Sequence, residues 1–234
     1  MFGSQIQAQT LNISFGLVQS NVQWKTGLNR AVERYGVTSF QEPREDIVFS
    51  VGLKYLEREN VSFRSEFSYY HSGGSLAVYE EPSISTIIKW DLAKSNFSIP
   101  YVSLQNYVDL VLFQQDRIRL EGLAGIHLDY ILTKEDKSAP LGDLSAPIQI
   151  LYQYDALNRL NFGPSFGGRY IYEFKEISLG LQYVYSPRTL QLGSYKASDE
   201  AITNGQELVE FEVTERVSFI QLTFGYNLKK NKKS

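Results

Sequence analysis

The chain has 234 residues, 43% of them hydrophobic and 14% aromatic, which excludes wholesale disorder and supplies enough apolar side chains for one extensive layer. Its formal net charge of −3 excludes the basic surface that a nucleic-acid partner requires, so none is expected. Cysteine is absent, so neither a disulfide framework nor a Cys-ligated metal site can be built, and no segment approaches the ~20 continuous apolar residues of a membrane-spanning helix.

In chain order, Met1–Thr10 lacks the basic region and long apolar core of a complete signal peptide. Ile6-Gln7-Ala8 before Gln9 nevertheless has the form of a cleavage site. Residues 1–9 are therefore expected to be a remnant of a signal region or tag, with a mature start near Gln9; a plain disordered terminus is the alternative. The body, 10–229, is expected to form one barrel, followed by a basic tail at 230–234.

From Thr10 onward apolar and polar residues alternate with period two, the signature of half-buried strands. Eight segments carry it: Thr10–Trp24, Asp46–Leu56, Val61–His71, Ile99–Phe113, Arg117–Leu132, Arg159–Tyr172, Glu176–Tyr185 and Arg216–Lys229. Each reaches the ~9–11 residues that a tilted strand needs to cross a bilayer. Three connections are tight (Glu57–Asn60, Gln114–Asp116, Phe174–Lys175) and four are long and polar (Lys25–Glu45, Ser72–Ser98, Thr133–Asn158, Ser186–Glu215), in strict alternation. Short turns at one end and long loops at the other are the pattern of outer-membrane barrels. The expected fold is thus all-β: an eight-stranded antiparallel up-and-down transmembrane barrel with short periplasmic turns and long extracellular loops. Ser83–Leu92 is apolar enough to form a strand extension or a small hairpin above the membrane.

Alternation alone does not say which face points inward. A lipocalin-like barrel would hold the apolar face inside around a ligand, and a membrane barrel would turn it towards lipid. The polar face decides. It carries Lys54, Arg64, Arg119 and Arg169 with Glu66, Asp109, Glu121 and Asp129, four cations matching four anions, as a closed interior requires. It also carries His127 and the small residues Gly52, Gly125, Gly163, Gly167 and Gly180. With Tyr101, Gln105, Tyr107 and Gln182, these groups are expected to fill a narrow lumen and exclude a diffusion pore. On the apolar face, Tyr55, Tyr172 and Tyr226 fall near the short turns and Tyr69, Tyr130 and Tyr185 near the long loops, as two aromatic girdles would.

Several segments resemble a known family. Ile99-Pro100-Tyr101-Val102-Ser103-Leu104 resembles the "IP" strand start of the PorT-like outer-membrane barrels of Bacteroidetes. LEGLAGIHLDYIL (Leu120–Leu132), LNFGPSFGGRYIY (Leu160–Tyr172) and ISLGLQYVY (Ile177–Tyr185) are similar to successive strands of the same proteins, so the likeness of pattern covers nearly the whole chain. A departure is the C-terminus, where such barrels commonly end on an aromatic residue: here Phe224 and Tyr226 are followed by Leu228 and KKNKKS. The resemblance implies an outer-membrane location and fold. One branch of the family takes part in type IX protein secretion, which makes partners in the cell envelope an expectation alongside membrane lipid.

No cofactor and no metal site are expected, since the chain has only two histidines. His127 with Glu121 and Asp129 has a spacing that permits acid–base or metal chemistry, but membership of the lumen network is the simpler account. His71-Ser72-Gly73-Gly74 is a second enzyme-like signal, a hydroxyl beside a base at the membrane rim, and suggests lipid A modification; a glycine turn explains the same residues. Phe162–Gly168 lacks the Lys-Ser/Thr ending of a phosphate loop. Lys229, Lys230, Lys232 and Lys233 are expected as a solvated run, with contact to phosphates or a periplasmic partner as the alternative, and the Asn-X-Ser sites at Asn12, Asn60 and Asn96 carry no weight in a bacterial barrel. Tyr35, Phe40, Tyr79, Trp90, Tyr152, Tyr154, Tyr195 and Phe211 are expected as loop aromatics that pack the loops or present a surface to a partner. The expectation is a non-enzymatic scaffold or accessory subunit, with the lipid A enzyme and the soluble ligand-binding barrel as alternatives.

Overall fold

The computed structural model describes residues 8–25, 37–56, 58, 60–80, 90–132, 135–137, 149–153, 159–188, 195–198 and 212–228. Eleven strands occur among them: β1 (Ala8–Lys25), β2 (Val37–Tyr55), β3 (Val61–Glu80), β4 (Trp90–Gln115), β5 (Ile118–Ile131), β6 (Glu135–Lys137), β7 (Gln149–Gln153), β8 (Leu160–Glu173), β9 (Ile177–Arg188), β10 (Tyr195–Ser198) and β11 (Glu212–Asn227). Eight of them close a barrel in the order β1-β11-β9-β8-β5-β4-β3-β2. All its pairings are antiparallel, and β1 seals the cylinder against β11 from Thr10↔Asn227 to Lys25↔Glu212. Closure leaves no open edge at membrane depth, where an unpaired backbone group has no water to bond.

The alternation seen in the sequence becomes an inside-out distribution. Outward side chains such as Phe162, Leu222, Ile126, Phe15 and Leu17 are 55–78% exposed, while inward Arg64, Asp109, Glu121 and Asp129 are fully buried. An aqueous solvent would select the reverse arrangement, because burying charge costs several kcal/mol per ion and exposing apolar area forfeits about 25 cal/mol per Å2. In a bilayer both preferences are met at once. The barrel therefore spans a membrane, and the soluble lipocalin-like alternative is overturned by the direction of its apolar faces.

The short-turn end matches expectation with small shifts. Asp116-Arg117 makes the β4–β5 turn, with Asp116 at a φ of 49°, a conformation that Asp adopts more readily than most residues. Gln114 and Gln115 belong to β4, and Ala8 and Gln9 already belong to β1.

The long-loop end differs more. β2 begins at Val37 rather than Asp46, β3 runs on to Glu80 rather than stopping at His71, and β4 starts at Trp90 rather than Ile99. Pairing continues without the rest of the barrel, from Val37↔Glu80 to Pro43↔Gly74 and from Gly74↔Phe97 to Glu80↔Trp90. At ~3.3 Å per residue the 26 residues of β4 could reach far beyond the ~30 Å hydrocarbon core. β2, β3 and β4 thus form a three-stranded blade standing above the cylinder. The blade parts from β1 where β1–β2 pairing ends at Ser20↔Arg44, beside the register shift of β2 between Pro43 and Val48. Gly73-Gly74, expected in a turn, lies inside β3; Gly73 has a φ of 145° and both its N–H and its carbonyl bond Ser20 Oγ, at 2.9 and 2.8 Å. Of the expected Ser83–Leu92 element, Trp90–Leu92 open β4 and 83–89 lie outside the described residues. A separate sheet, β10-β7-β6, occupies parts of the third and fourth expected loops.

Candidate functional site

The inward residues of the barrel form one continuous polar column, which is the main candidate site. Its lower half, nearest the short turns, is ionic. Glu121 is the hub: Lys54 Nζ lies 2.9 Å from its Oε1, Arg119 Nε 3.0 Å from the same oxygen, and Arg169 Nε 3.0 Å from Oε2. Arg169 also reaches Asp109 at 3.0 Å, and Asp109 in turn faces Arg64 at 3.4 Å. Arg64 pairs with Glu66 and sits with its guanidinium 4.5 Å from the centroid of the Tyr107 ring. Tyr107 donates to Gln105. These groups come from β2, β3, β4, β5 and β8, so the network ties together strands far apart in sequence. A smooth cylinder has no room for such groups unless partners are small: a Cβ on Gly125 would fall 2.1 Å from Asn106 O and 2.9 Å from the Tyr107 ring.

Above the ionic half lies a layer of neutral polar groups. Gln182 Nε2 donates to Gln221 Oε1 at 3.0 Å, Gln221 Nε2 to Ser50 Oγ at 2.7 Å, and Ser50 and Ser68 hydroxyls are 2.9 Å apart. That chain crosses from β9 through β11 and β2 to β3.

The upper half is aromatic and acidic. Tyr70 and Tyr101 stack at 5.4 Å, and Phe219 meets Tyr70 edge-on at 5.1 Å. Tyr70 Oη donates to Asp129 at 3.3 Å, and Tyr101 Oη to Glu215 at 3.2 Å. His127 lies between Asp129, 3.4 Å from its Nε2, and the Ser165 hydroxyl, 3.0 Å from its Nδ1; Ser165 in turn contacts Ser186 at 2.9 Å. Gly163 makes room for this imidazole, since a Cβ there would come within 2.9 Å of Cε1. Among the described residues no group of three or more His, Cys, Asp or Glu is placed to hold a metal.

All nine ionisable residues singled out in the sequence face the lumen, but they do not make one cluster. Asp129 belongs to the upper half, beside His127 and Tyr70. Glu173, at the periplasmic rim, takes its place as the fourth anion of the lower network, 3.0 Å from Arg119. Glu215, fully buried, is the group that sequence reasoning missed. The sequence reading ends the fourth long loop at Glu215, although Glu215, Val217, Phe219, Gln221 and Thr223 alternate inward along β11 and carry the signal for it. Tyr70, inside an expected strand but directly beside the outward Tyr69, is a further buried lumen residue that the sequence reading does not single out.

The six girdle tyrosines all lie on the outer face, half-buried or exposed. Tyr55 bonds Ser65 at 3.0 Å and stacks on Phe63, Tyr172 packs edge-on against Phe174, and Tyr130 Oη accepts from Arg159 at 3.4 Å. Phe40, Tyr79 and Trp90 are strand residues of the blade, and Tyr152 and Tyr195 lie in β7 and β10; Tyr35, Tyr154, Phe211 and the four tail lysines lie outside the described residues.

The His71-Ser72 pair does not assemble. Neighbours along a strand point to opposite faces: Ser72 is fully buried in the lumen, while His71 is on the outer face. There His71 Nδ1 contacts Ser98 Oγ at 3.0 Å and Nε2 contacts Tyr69 Oη at 2.7 Å.

Among the described residues a recess opens at the periplasmic mouth of the column, lined by Lys54, Arg119, Arg169 and Glu173–Ser178. It holds about 70 Å3, room for a few waters.

No protein-family model matches the sequence, and no curated protein sequence matches it. Solved structures do match in shape. The outer-membrane protease OmpT of Escherichia coli is 9% identical, with 97% of this chain and 99% of that chain covered at a TM-score of 0.50. Outer membrane protein OprG from Pseudomonas aeruginosa is 10% identical over 94% of this chain and 97% of its own, at 0.47. Neisserial surface protein A is 9% identical over 93% and 97%, at 0.48. At such identities the likeness to OmpT speaks for fold and not for activity. Closed architecture, apolar exterior and ionic lumen together make this chain a β-barrel of the bacterial outer membrane, in contact with its lipid.

Proposed function

We propose that the protein is a non-enzymatic barrel of the PorT-like kind, serving as a scaffold or accessory subunit of an envelope or secretion complex. The observation that carries this reading is the filled lumen. Among the described residues, Glu121 with its three cations, the Gln182–Gln221–Ser50 chain and the Tyr70–Tyr101–Phe219 stack succeed one another along the axis, which supports a lumen without a solute path. What such a barrel can offer is surface, and the β2–β4 blade with the β10-β7-β6 sheet is where strand backbone extends beyond the barrel pairing.

Photo-crosslinkers placed along residues 37–42, 75–80 and 90–97 in native membranes test the reading. The expected result is one reproducible protein adduct, lost when the blade is cut back; adducts to lipid alone would count against a subunit role. In planar bilayers the purified protein is expected to show no porin-like conductance, and a steady large conductance would contradict a filled lumen.

The enzyme alternative now rests on Ser98 with His71 in place of Ser72. On the present reading that contact anchors the outer face, and His71→Ala and Ser98→Ala are expected to leave the lipid A mass spectrum unchanged.

A further inference from the structure

Between the two tyrosine rows the outer face of the barrel is hydrocarbon and aromatic except at one place. Among the described residues its only non-aromatic polar side chains there are Ser65 of β3 and Asn106 of β4, which stand directly opposite each other. They lie deep in the membrane. Asn106 is four residues along β4 from Val102, which is level with Tyr69 and Tyr130 of the upper row, a distance of ~13 Å along the strand. In an apolar band about 25 Å tall, that depth is close to the middle. Leu104 and Phe67 flank the pair above, and Val108 and Phe63 below. Hydrogen bonds run through it in one direction. Ser65 Oγ donates to Asn106 Oδ1 at 2.7 Å, so the Tyr55 hydroxyl, 3.0 Å from Ser65, is the donor to that serine. The chain ends on the Asn106 amide, whose Nδ2 bonds nothing among the described residues although the side chain is only half-buried. Turning the amide over would leave its oxygen in the same position. Lipid tails offer neither donor nor acceptor at that depth.

We propose that this face is a homodimer interface within the membrane, in which Asn106 of one copy pairs with Asn106 of a second across a two-fold axis. The occupant follows from the amide itself. After Ser65 has taken one lone pair of Oδ1, a second lone pair and two N–H donors are left, and another Asn106 matches both kinds of group. All copies cross the membrane in the same sense, so the two-fold axis lies along its normal and each residue meets its own copy at the same depth. Two Nδ2–Oδ1 bonds then form where water does not compete for them. The side chains around the amide, Phe63, Phe67, Leu104 and Val108, pack against those of a second copy without stranding a charge. Because the amide leans towards Ser65, the contact centres on β3 and β4, and Ile126 on β5 stays at the lipid as the cylinder curves away. The interface depends neither on the blade nor on any partner in the envelope.

The test is energy transfer between donor- and acceptor-labelled full chains in phosphatidylcholine vesicles, each labelled through Phe174→Cys in a short turn and followed as lipid is added. Transfer that fits a monomer–dimer equilibrium is expected; transfer that falls away as chance proximity does overturns the proposal. Asn106→Leu, which gives this position the character of its outward neighbours, is expected to weaken association at least tenfold, and a dimer of unchanged strength in that variant overturns the role of the amide. Single cysteines report where the contact lies. Oxidation is expected to join Leu104→Cys chains into covalent dimers and to leave Leu222→Cys, on β11 across the barrel, monomeric; the reverse pattern overturns the assignment to this face. A photo-crosslinker at Leu104 that captures a different protein in native membranes, and never a second copy, also overturns it. A gel-mobility shift on boiling, run on each variant, establishes that the barrel has folded before its association is read.

Discussion

Glu121 shows what a single residue carries in this fold. It lies fully buried among Lys54, Arg119 and Arg169, and its removal strands three cations in a space that water reaches poorly. Breaking a buried pair from one side costs about 3–5 kcal/mol. Glu121→Ala is accordingly expected to lower the urea midpoint of the detergent-folded barrel by that amount of stability, measured as loss of the boiling-sensitive gel band. Lys54→Met removes a single partner while Glu121 keeps Arg119 and Arg169, and its expected cost is smaller. On the opposite face Ile126 is 64% exposed to the lipid side. Ile126→Arg is expected to cost about 2–4 kcal/mol in a bilayer, with a much smaller effect in a detergent that admits water around the charge. The residue scale is also where reading a sequence is most limited. Period two told inward from outward for Arg64 and Phe63 or for His127 and Ile126, but it could not say that Asp129 would meet His127 and Tyr70 instead of a cation. Such pairings depend on which strands lie across the lumen, and that is decided by closure of the whole cylinder.

Strands rather than residues decide where the barrel ends. In the membrane, one face meets lipid and the other a polar lumen, so alternation is forced and legible. Above the membrane both faces of a strand can meet water or another loop, and the constraint disappears. Hence β5, β8 and β9 stand close to their sequence-based limits, whereas β2, β3 and β4 overrun theirs by a blade that the sequence presents mostly as polar connection, with Ser83–Leu92 its one hint of a strand extension. Gly73-Gly74 misled for the same reason: glycines read as a turn where backbone geometry instead lets Ser20 bond a strand from inside. Among the glycines, Gly125 carries a prediction at this scale. Gly125→Val would drive its side chain into the Asn106 carbonyl of β4, so β4–β5 pairing cannot close. The variant is expected to yield no boiling-sensitive band under conditions that fold the parent chain.

At the level of the whole molecule, the physical statement is that charge lies inside and hydrocarbon outside. Eight strands leave an interior just wide enough for side chains to fill, which ties the expectation of no porin-like conductance to the same count that fixes the diameter. On the proposed reading, function then moves to the blade and accessory sheet at the long-loop end. The absence of native cysteine allows a direct test of the inside-out arrangement. Spin labels on single cysteines at Phe162, Ile126 and Leu222, with Phe174 in a short turn as the control, can be read by EPR for contact with oxygen and with a water-soluble nickel chelate in reconstituted bilayers. High oxygen and low nickel contact at the first three positions, with the opposite at Phe174, is the expected result. Strong nickel contact at Phe162, Ile126 and Leu222 would place those faces in water and contradict the membrane barrel.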